Sequence, residues 1–254
     1  MKGIADKPFI NCDKYIDTDK LKSLDKKIIY GIANSNPTKT YFSDDLLEDW
    51  EQGKHIFCPT VPYMMLLLKH KHITQEQFIE FRELKDWDQQ QWWLHLTLAL
   101  RNPSWSIVLR TPSDYMFKNI EEYNRNTDVI KHFPELAHFI FGELPFKEVG
   151  RIVIFLQDQD SPVVIHRDKI NGMDPHEVHQ REFLYLQPNS LKKFFIIDED
   201  TTEKHYVDCS AAFFNELDYH GADGVPRLTY SVRIDGVFTP EFREAITGDA
   251  NARY

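Results

Sequence analysis

Residues 161 to 168, SPVVIHRD, run from β-branched and apolar side chains into a histidine and an aspartate two positions apart. In an extended strand, residues i and i+2 share a face, so His166 and Asp168 can aim an imidazole and a carboxylate at one point. A second imidazole is available some fifty residues on, where His220 sits among turn formers in NELDYHGADGVPRL, just ahead of the last long β-type run. Two imidazoles and one carboxylate on one side of an iron leave three coordination positions open, the donor set of non-haem Fe(II) chemistry. Taken singly, His166 and Asp168 also fit a strand end that meets water. It is the order of the three elements that favours a metal.

The last long run, RLTYSVRIDGVF, adds an anion-binding half. Its alternation puts Arg227, Thr229, Ser231 and Arg233 on one face, and Leu228, Tyr230, Val232 and Ile234 on the other. Arginines inside a barrel are costly unless each meets an anion. A dicarboxylate beside the metal would meet that need, because a guanidinium hydrogen-bonds a carboxylate in bidentate fashion and a hydroxyl such as Ser231 adds another bond. The competing reading pairs the two arginines with Asp218, Asp223 or Asp235. Tyr185, in REFLYLQP, either packs in the core or sends its hydroxyl to the same anion. Lys192 and Lys193 open a strand and are assigned no role.

Other histidines are weaker ligands. His176 and His179 lie in the polar stretch NGMDPHEVHQ, and His205 lies mid-strand in EKHYVD, close after His166 for such a pattern. Trp92 and Trp93 with Leu94, Leu96, Leu98 and Leu100, and Tyr63 with Met64 and Met65, read as core. So does Cys209, as a small buried hydrophobe.

These residues need elements to hold them, and the texture of the chain changes near residue 145. Before it the patterns are mostly helical: SDDLLEDWEQ (43–52) has a serine cap and acidic first turn, and TQEQFIEFRELKDW (74–87) carries a Thr-x-x-Gln capping box. In the latter, Phe78, Phe81, Leu84 and Trp87 recur at three-residue spacing, the mark of a helix laying one face on something flat. SWSIVLR (104–110) reads as a strand, and 128–141 as helical turns broken around Pro134. From Val149 onward about seven short β-type runs follow without intervening helices, which points to a jelly-roll barrel braced by N-terminal helices. The expected organisation is one domain: a mostly helical bracing region (1–144), a jelly-roll core (145–240) and a tail (241–254).

The chain has 254 residues, of which 42% are hydrophobic and 13% aromatic. A chain of this length buries roughly three quarters of its unfolded surface, enough for a sizeable core. The formal net charge of -10 repels a phosphate backbone, so nucleic acid is a poor partner. Three scattered cysteines point to a reducing compartment, the cytoplasm. The N-terminus lacks the apolar run of a signal peptide, and no segment approaches the ~18 apolar residues of a membrane span.

The combination of His-x-Asp on an early barrel strand, a distal His and an Arg on the strand after it resembles the Fe(II)/2-oxoglutarate-dependent oxygenases, over roughly residues 145 to 240. The resemblance implies a double-stranded β-helix, with Fe(II) held by His166, Asp168 and His220, and the distal carboxylate of 2-oxoglutarate held by an arginine. Arg233 is the first choice, at the usual distance after His220. Arg227 is the other, since RLTYSVR resembles the Arg-x-Asn-x-Thr-x-Arg strand of the oxidative dealkylase branch, with Thr229 in place of the Asn. Ser231 and Tyr185 complete the co-substrate set. VGRIVIFLQDQDSPVVIHRD is also similar to the barrel entry of the aspartyl/asparaginyl and free-proline hydroxylases, which implies an amino-acid-like substrate.

Because Asp168 is a carboxylate and not Gly or Ala, the resemblance implies hydroxylation and not halogenation. The implied reaction consumes O2 and 2-oxoglutarate and releases succinate and CO2 while an unactivated C–H bond is hydroxylated. Two other readings remain: a cupin-like metalloenzyme that does not use 2-oxoglutarate, and a metal-free jelly roll whose arginines grip an anion.

Overall fold

The C-terminal half is built from short segments in which β-branched and aromatic residues face a buried side, the composition that suits a pleated surface. They form β3 (Phe146–Gln157), β4 (Val163–His166), β5 (Glu182–Leu186), β6 (Phe194–Ile197), β7 (Lys204–Tyr206), β8 (Ala211–Phe214), β9 (His220–Ala222) and β10 (Thr229–Phe238). Two further strands, β1 (Phe9–Asn11) and β2 (Trp105–Arg110), come from the N-terminal half. A computed structural model describes residues 3–35, 59–85, 87–101, 105–110, 117–122, 129–157, 159–160, 162–168, 182–189 and 193–248.

The strands form two antiparallel sheets. One has the order β1-β8-β5-β10-β3-β2 and the other β4-β9-β6-β7. From β3 to β10 the chain changes sheet at every connection except β6 to β7, so consecutive strands contribute alternately to the two layers. The inner faces meet through aromatic rings: Tyr185 of β5 lies 4.4 Å from Phe194 of β6, centroid to centroid, and Phe194 lies 5.0 Å from Phe214 of β8.

Helices cover both outer faces. On the larger sheet, α1 (Thr18–Ser23) and α2 (Asp25–Asn34) insert Leu21, Leu24, Ile28 and Ile32 into the main core. The Tyr230 hydroxyl on the outward side of β10 donates to Asp25 Oδ1 at 2.7 Å. On the smaller sheet, α3 (Val61–Lys69), α4 (Gln75–Glu83) and α5 (Trp87–Arg101) form a second core with Val164, Ile165, Phe195 and Ile197. With helices outside it and the smaller sheet inside, β10 is buried on both faces from Thr229 to Asp235. The chain is completed by α6 (Pro134–Glu143), which packs into the main core, and by α7 (Pro240–Thr247). Among the described residues no helix is long and apolar enough to cross a membrane.

Local expectations fare unevenly. The capping box is present: Thr74 Oγ1 accepts from Gln77 N at 3.2 Å and Gln77 Oε1 accepts from Thr74 N at 2.8 Å. The helix it starts ends at Glu83, however. Leu84 is extended, and Trp87 opens the next helix with 58% of its surface exposed. The three-residue spacing thus runs across two helices, and only Phe78 and Phe81 share the buried face. Pro134 starts α6, as the break around it implied. Tyr63, Met64, Trp93, Leu94, Leu96 and Cys209 are buried, whereas Met65 is 57% exposed. The 43–52 segment, Cys58, His176, His179 and the side chains of Leu98 and Leu100 lie outside the described residues.

Gly31 marks where α2 meets the 3-10 turn Val129–His132. A Cβ built there would lie 2.4 Å from the His132 carbonyl oxygen and 2.6 Å from the Phe133 ring. On an open helix face, Gly→Ala gains up to ~1 kcal/mol of helix propensity. Here the sign reverses: overpacking against backbone costs about 1–3 kcal/mol, so Gly31→Ala should lower the denaturant midpoint in equilibrium unfolding.

Candidate metal centre

Strands β4 and β9 pair antiparallel, and their register sets His166 directly opposite His220, with ring centroids 4.5 Å apart. Gly221 keeps the two strands close to their neighbours, since a Cβ there would lie 2.8 Å from the Val163 carbonyl oxygen and 3.0 Å from the Phe195 ring. The strand β4 ends at His166, but Asp168 is still tied to the chain beside β9: its N–H donates to the Glu216 carbonyl at 3.1 Å. The sequence places His220 in a turn, whereas it lies in the three-residue strand β9, paired with Ile196 of β6 on its other side.

Both imidazoles are oriented by the same device. His166 Nδ1 donates to the Val164 carbonyl at 2.7 Å, and His220 Nδ1 donates to the Asp218 carbonyl at 2.9 Å. A carbonyl only accepts, so each Nδ1 carries a proton and Nε2 is the ring atom left to face Asp168. Those two Nε2 atoms lie 3.8 Å and 3.5 Å from Asp168 Oδ1. The ligand atoms of all three residues lie within 4.8 Å of one another, and among the described residues this is the group of His, Cys, Asp and Glu side chains spaced to hold a metal.

Three potential ligand atoms thus face one another. Donors bound at right angles to one divalent ion, roughly 2.1 Å from each, stand about 3 Å apart, so a small contraction brings them to bonding distance. Burial works to raise the Asp168 pKa, but the contact with His220 and the adjacent Arg233 guanidinium outweigh it and hold the carboxyl well below its ordinary range. The donor set therefore fits a divalent cation.

Arg233 is buried on β10, with partners other than the expected diacid. Its Nη1 donates to Asp168 Oδ2 at 2.5 Å, its Nε to Asp235 Oδ1 at 2.6 Å and its Nη2 to Glu216 Oε2. Its guanidinium stacks on Phe183, 4.0 Å from the ring centroid. Asp235 is shared with Arg151, whose Nε donates to Oδ2 at 2.9 Å. Among the described residues two guanidinium groups face three carboxylates in this cluster, an excess of negative charge that a divalent ion would offset. The other expected ion pairs of the arginines fall elsewhere: Asp218 accepts from the Gly3 backbone, and Asp223 pairs with Lys204.

Arg227 lies exposed ahead of β10 and outside this cluster. Ser231 is buried two residues before Arg233, and Tyr185, paired with Arg233 across the sheet, is hydrogen-bonded to the Ser231 side chain. Burial pushes the Tyr185 hydroxyl pKa up, which keeps it neutral. His205 lies on β7 with 37% of its side chain exposed, away from the triad.

Lys193 is the residue that the sequence reading passed over. It precedes β6 and only 4% of it is exposed, yet its ammonium donates to two neutral groups, Gln157 Oε1 at 2.6 Å and Thr229 Oγ1. Among the described residues no carboxylate reaches it. Burial, aided by the charge of Arg227, lowers its pKa to about 8. A buried ammonium whose described partners are all neutral is costly, and an anion beside it would offset that cost. No motif marks it: it is the second lysine of an ordinary KK pair, and only the fold turns it inward.

No family model matches the chain, and no curated protein matches it. Among solved structures it is similar to a prolyl-4-hydroxylase of Pseudomonas putida, with 13% identity and a TM-score of 0.30, over 52% of this chain and 70% of that one. It is also similar to the viral collagen prolyl hydroxylase of Paramecium bursaria Chlorella virus-1, in complex with 2-oxoglutarate, with 10% identity and a TM-score of 0.28, over 53% of this chain and 80% of that one. At these scores neither match assigns a role to any residue.

Proposed function

We propose that the protein is an Fe(II)- and 2-oxoglutarate-dependent dioxygenase that hydroxylates an unactivated C–H bond, with His166, Asp168 and His220 as the iron ligands. The carrying observation is the convergence of two oriented Nε2 atoms and one carboxylate oxygen, beside a cluster that among the described residues has more carboxylates than guanidinium groups. When bound, Fe(II) and 2-oxoglutarate would together activate O2, and the protein's part is to hold them, place the substrate and exclude water. We read the two alternating sheets as a double-stranded β-helix, the jelly roll in which this donor set opens at one end. The free, buried thiols of Cys12 and Cys209 are in keeping with a reducing compartment, the cytoplasm.

The inward face of β10 supports a linear diacid. Thr229, Ser231 and Arg233 follow one another at every second residue, about 6.8 Å apart. Arg233 leads to the candidate iron site through Asp168, Ser231 carries Tyr185, and Thr229 carries Lys193. A co-substrate chelating the iron with its keto-acid end would direct its far carboxylate along this face, toward Lys193. We assign that carboxylate to Lys193 and Thr229, with Ser231 and Tyr185 along the way and Arg227 at the rim. Arg233, the residue expected from the sequence, already serves three protein carboxylates. The primary substrate is read as amino-acid-like, on the likeness of residues 149–168 to the entry of amino-acid hydroxylases.

Anaerobic addition of Fe(II) and then 2-oxoglutarate should produce the weak visible charge-transfer band of the chelate, and air should then release succinate. His166→Ala, Asp168→Ala and His220→Ala should each abolish the band. A wild-type protein that binds iron but gives neither band nor succinate would favour the cupin-like metalloenzyme, and one that binds no metal the anion-binding module.

Replacing a buried charged partner of a charged ligand costs about 2–5 kcal/mol, so Lys193→Met should weaken 2-oxoglutarate binding by roughly thirtyfold or more while metal affinity is kept. The same residue sets a pH dependence. Only the ammonium form binds a carboxylate, and in the free protein that form is lost above about pH 8. Calorimetric affinity for 2-oxoglutarate should therefore be flat below pH 8 and fall by up to tenfold per unit above it, and Lys193→Met should remove this slope.

A further inference from the structure

We propose that Arg233 is a positioning residue for Asp168: it withdraws one carboxylate oxygen so that Asp168 offers only the other to the metal, and Glu216 and Asp235 hold the guanidinium in that task. The inference rests on the reading of the triad as a metal centre.

The geometry is directional. Asp168 Oδ2 accepts from Arg233 Nη1 at 2.5 Å, while Oδ1 is the oxygen nearest both imidazoles. A carboxylate with both oxygens free can swing between one-oxygen and two-oxygen binding, and the second mode would occupy a coordination position that the proposed chemistry needs open. Arg233 cannot drift from this contact. Its other two nitrogens are bound by Asp235 and Glu216, the Phe183 ring lies against its face, and only 5% of the residue is exposed. Asp235 is itself held by Arg151 at 2.8 Å.

Glu216 holds Asp168 twice, once through its own carbonyl on the Asp168 N–H at 3.1 Å and once through the Arg233 guanidinium. The turn that carries Glu216 leads directly into β9 and His220, so the same segment sets two of the three donors. A diacid arriving at Arg233 would have to displace one of these anions and would bring a fourth carboxylate to the cluster. Charge-assisted contacts to a ligand carboxylate raise metal affinity by fixing its orientation.

The test separates metal from co-substrate binding with oxygen-stable ions. Metal-free protein is titrated with Mn(II) by electron paramagnetic resonance, and then with 2-oxoglutarate at saturating Mn(II) by calorimetry. Arg233→Lys, which keeps the charge but loses the planar fork, should weaken Mn(II) binding by roughly 10–100-fold. At saturating metal its 2-oxoglutarate affinity should stay near that of the wild type. Glu216→Gln, which leaves Arg233 with its other two carboxylates, should weaken Mn(II) less but in the same direction, and it carries the test if Arg233→Lys does not fold by circular dichroism. The Co(II)-loaded variants should also show shifted visible d–d bands as Asp168 changes its mode of binding.

Folded variants with wild-type Mn(II) affinity and unshifted Co(II) bands would overturn the proposal. A loss confined to 2-oxoglutarate binding would overturn it too, by returning Arg233 to the co-substrate. If the wild type itself binds neither Mn(II) nor Co(II), the metal reading has failed and the positioning role fails with it.

Discussion

Two imidazole nitrogens and a carboxylate oxygen pointed at one another are the constraint around which the rest of this molecule is arranged. Unless a proton or a metal ion stands between them, Nε2 of His166 and His220 and an oxygen of Asp168 repel. The ring orientations are imposed by backbone carbonyls two residues upstream of each histidine, so the strand geometry itself turns both Nε2 atoms toward Asp168. Among the described residues, the cluster behind Asp168 sets two guanidinium groups against three carboxylates.

The architecture delivers this conflict with little freedom. Strands β4 and β9 are neighbours in the smaller sheet, and their register brings the two histidines opposite each other. The long strand β10, in the larger sheet, carries the guanidinium that meets Asp168, then hydroxyls, including a threonine that meets the buried ammonium of Lys193. Helices on one side and the smaller sheet on the other bury β10 on both faces, and that burial makes its polar residues effective. A charge in a desolvated setting interacts more strongly than one in water, and it is also more expensive if left alone. Arg233 meets this demand with protein carboxylates, whereas among the described residues Lys193 meets it only with neutral groups. The proposed roles, one cation positioning and the other binding, rest on that asymmetry.

Much of the scaffold could be read from local pattern. The runs that became β3 to β8 and β10 are rich in β-branched and aromatic residues, the composition of strands, and the Thr74–Gln77 capping box and Pro134 mark helix starts by chemistry confined to a few residues. The pairing of His166 with Asp168 was legible from their spacing, although β4 stops at His166 and Asp168 lies just beyond it. What failed to show was short or relational. Strands β1 and β9 have three residues each, too few for a period, and β9 is a strand only because β4 and β6 flank it. The 74–87 pattern looked continuous because spacing carries no information about where a helix must turn away.

The sequence by itself determined the β-rich core, its helical cover and the grouping of His166 with Asp168, since each follows from periodicity or from spacing within a few residues, whereas His220 joins that pair through the register of β4 with β9. Only the tertiary structure decided the partners of the cations. Arg233 and Lys193 are both basic residues at strand positions, and nothing local distinguishes them. Their roles part because folding surrounds one with Asp168, Glu216 and Asp235 and the other with Gln157 and Thr229, residues up to 65 positions away in the chain. The free energy of a buried charge depends on what lies within a few ångströms of it, and that neighbourhood does not exist until the chain has folded.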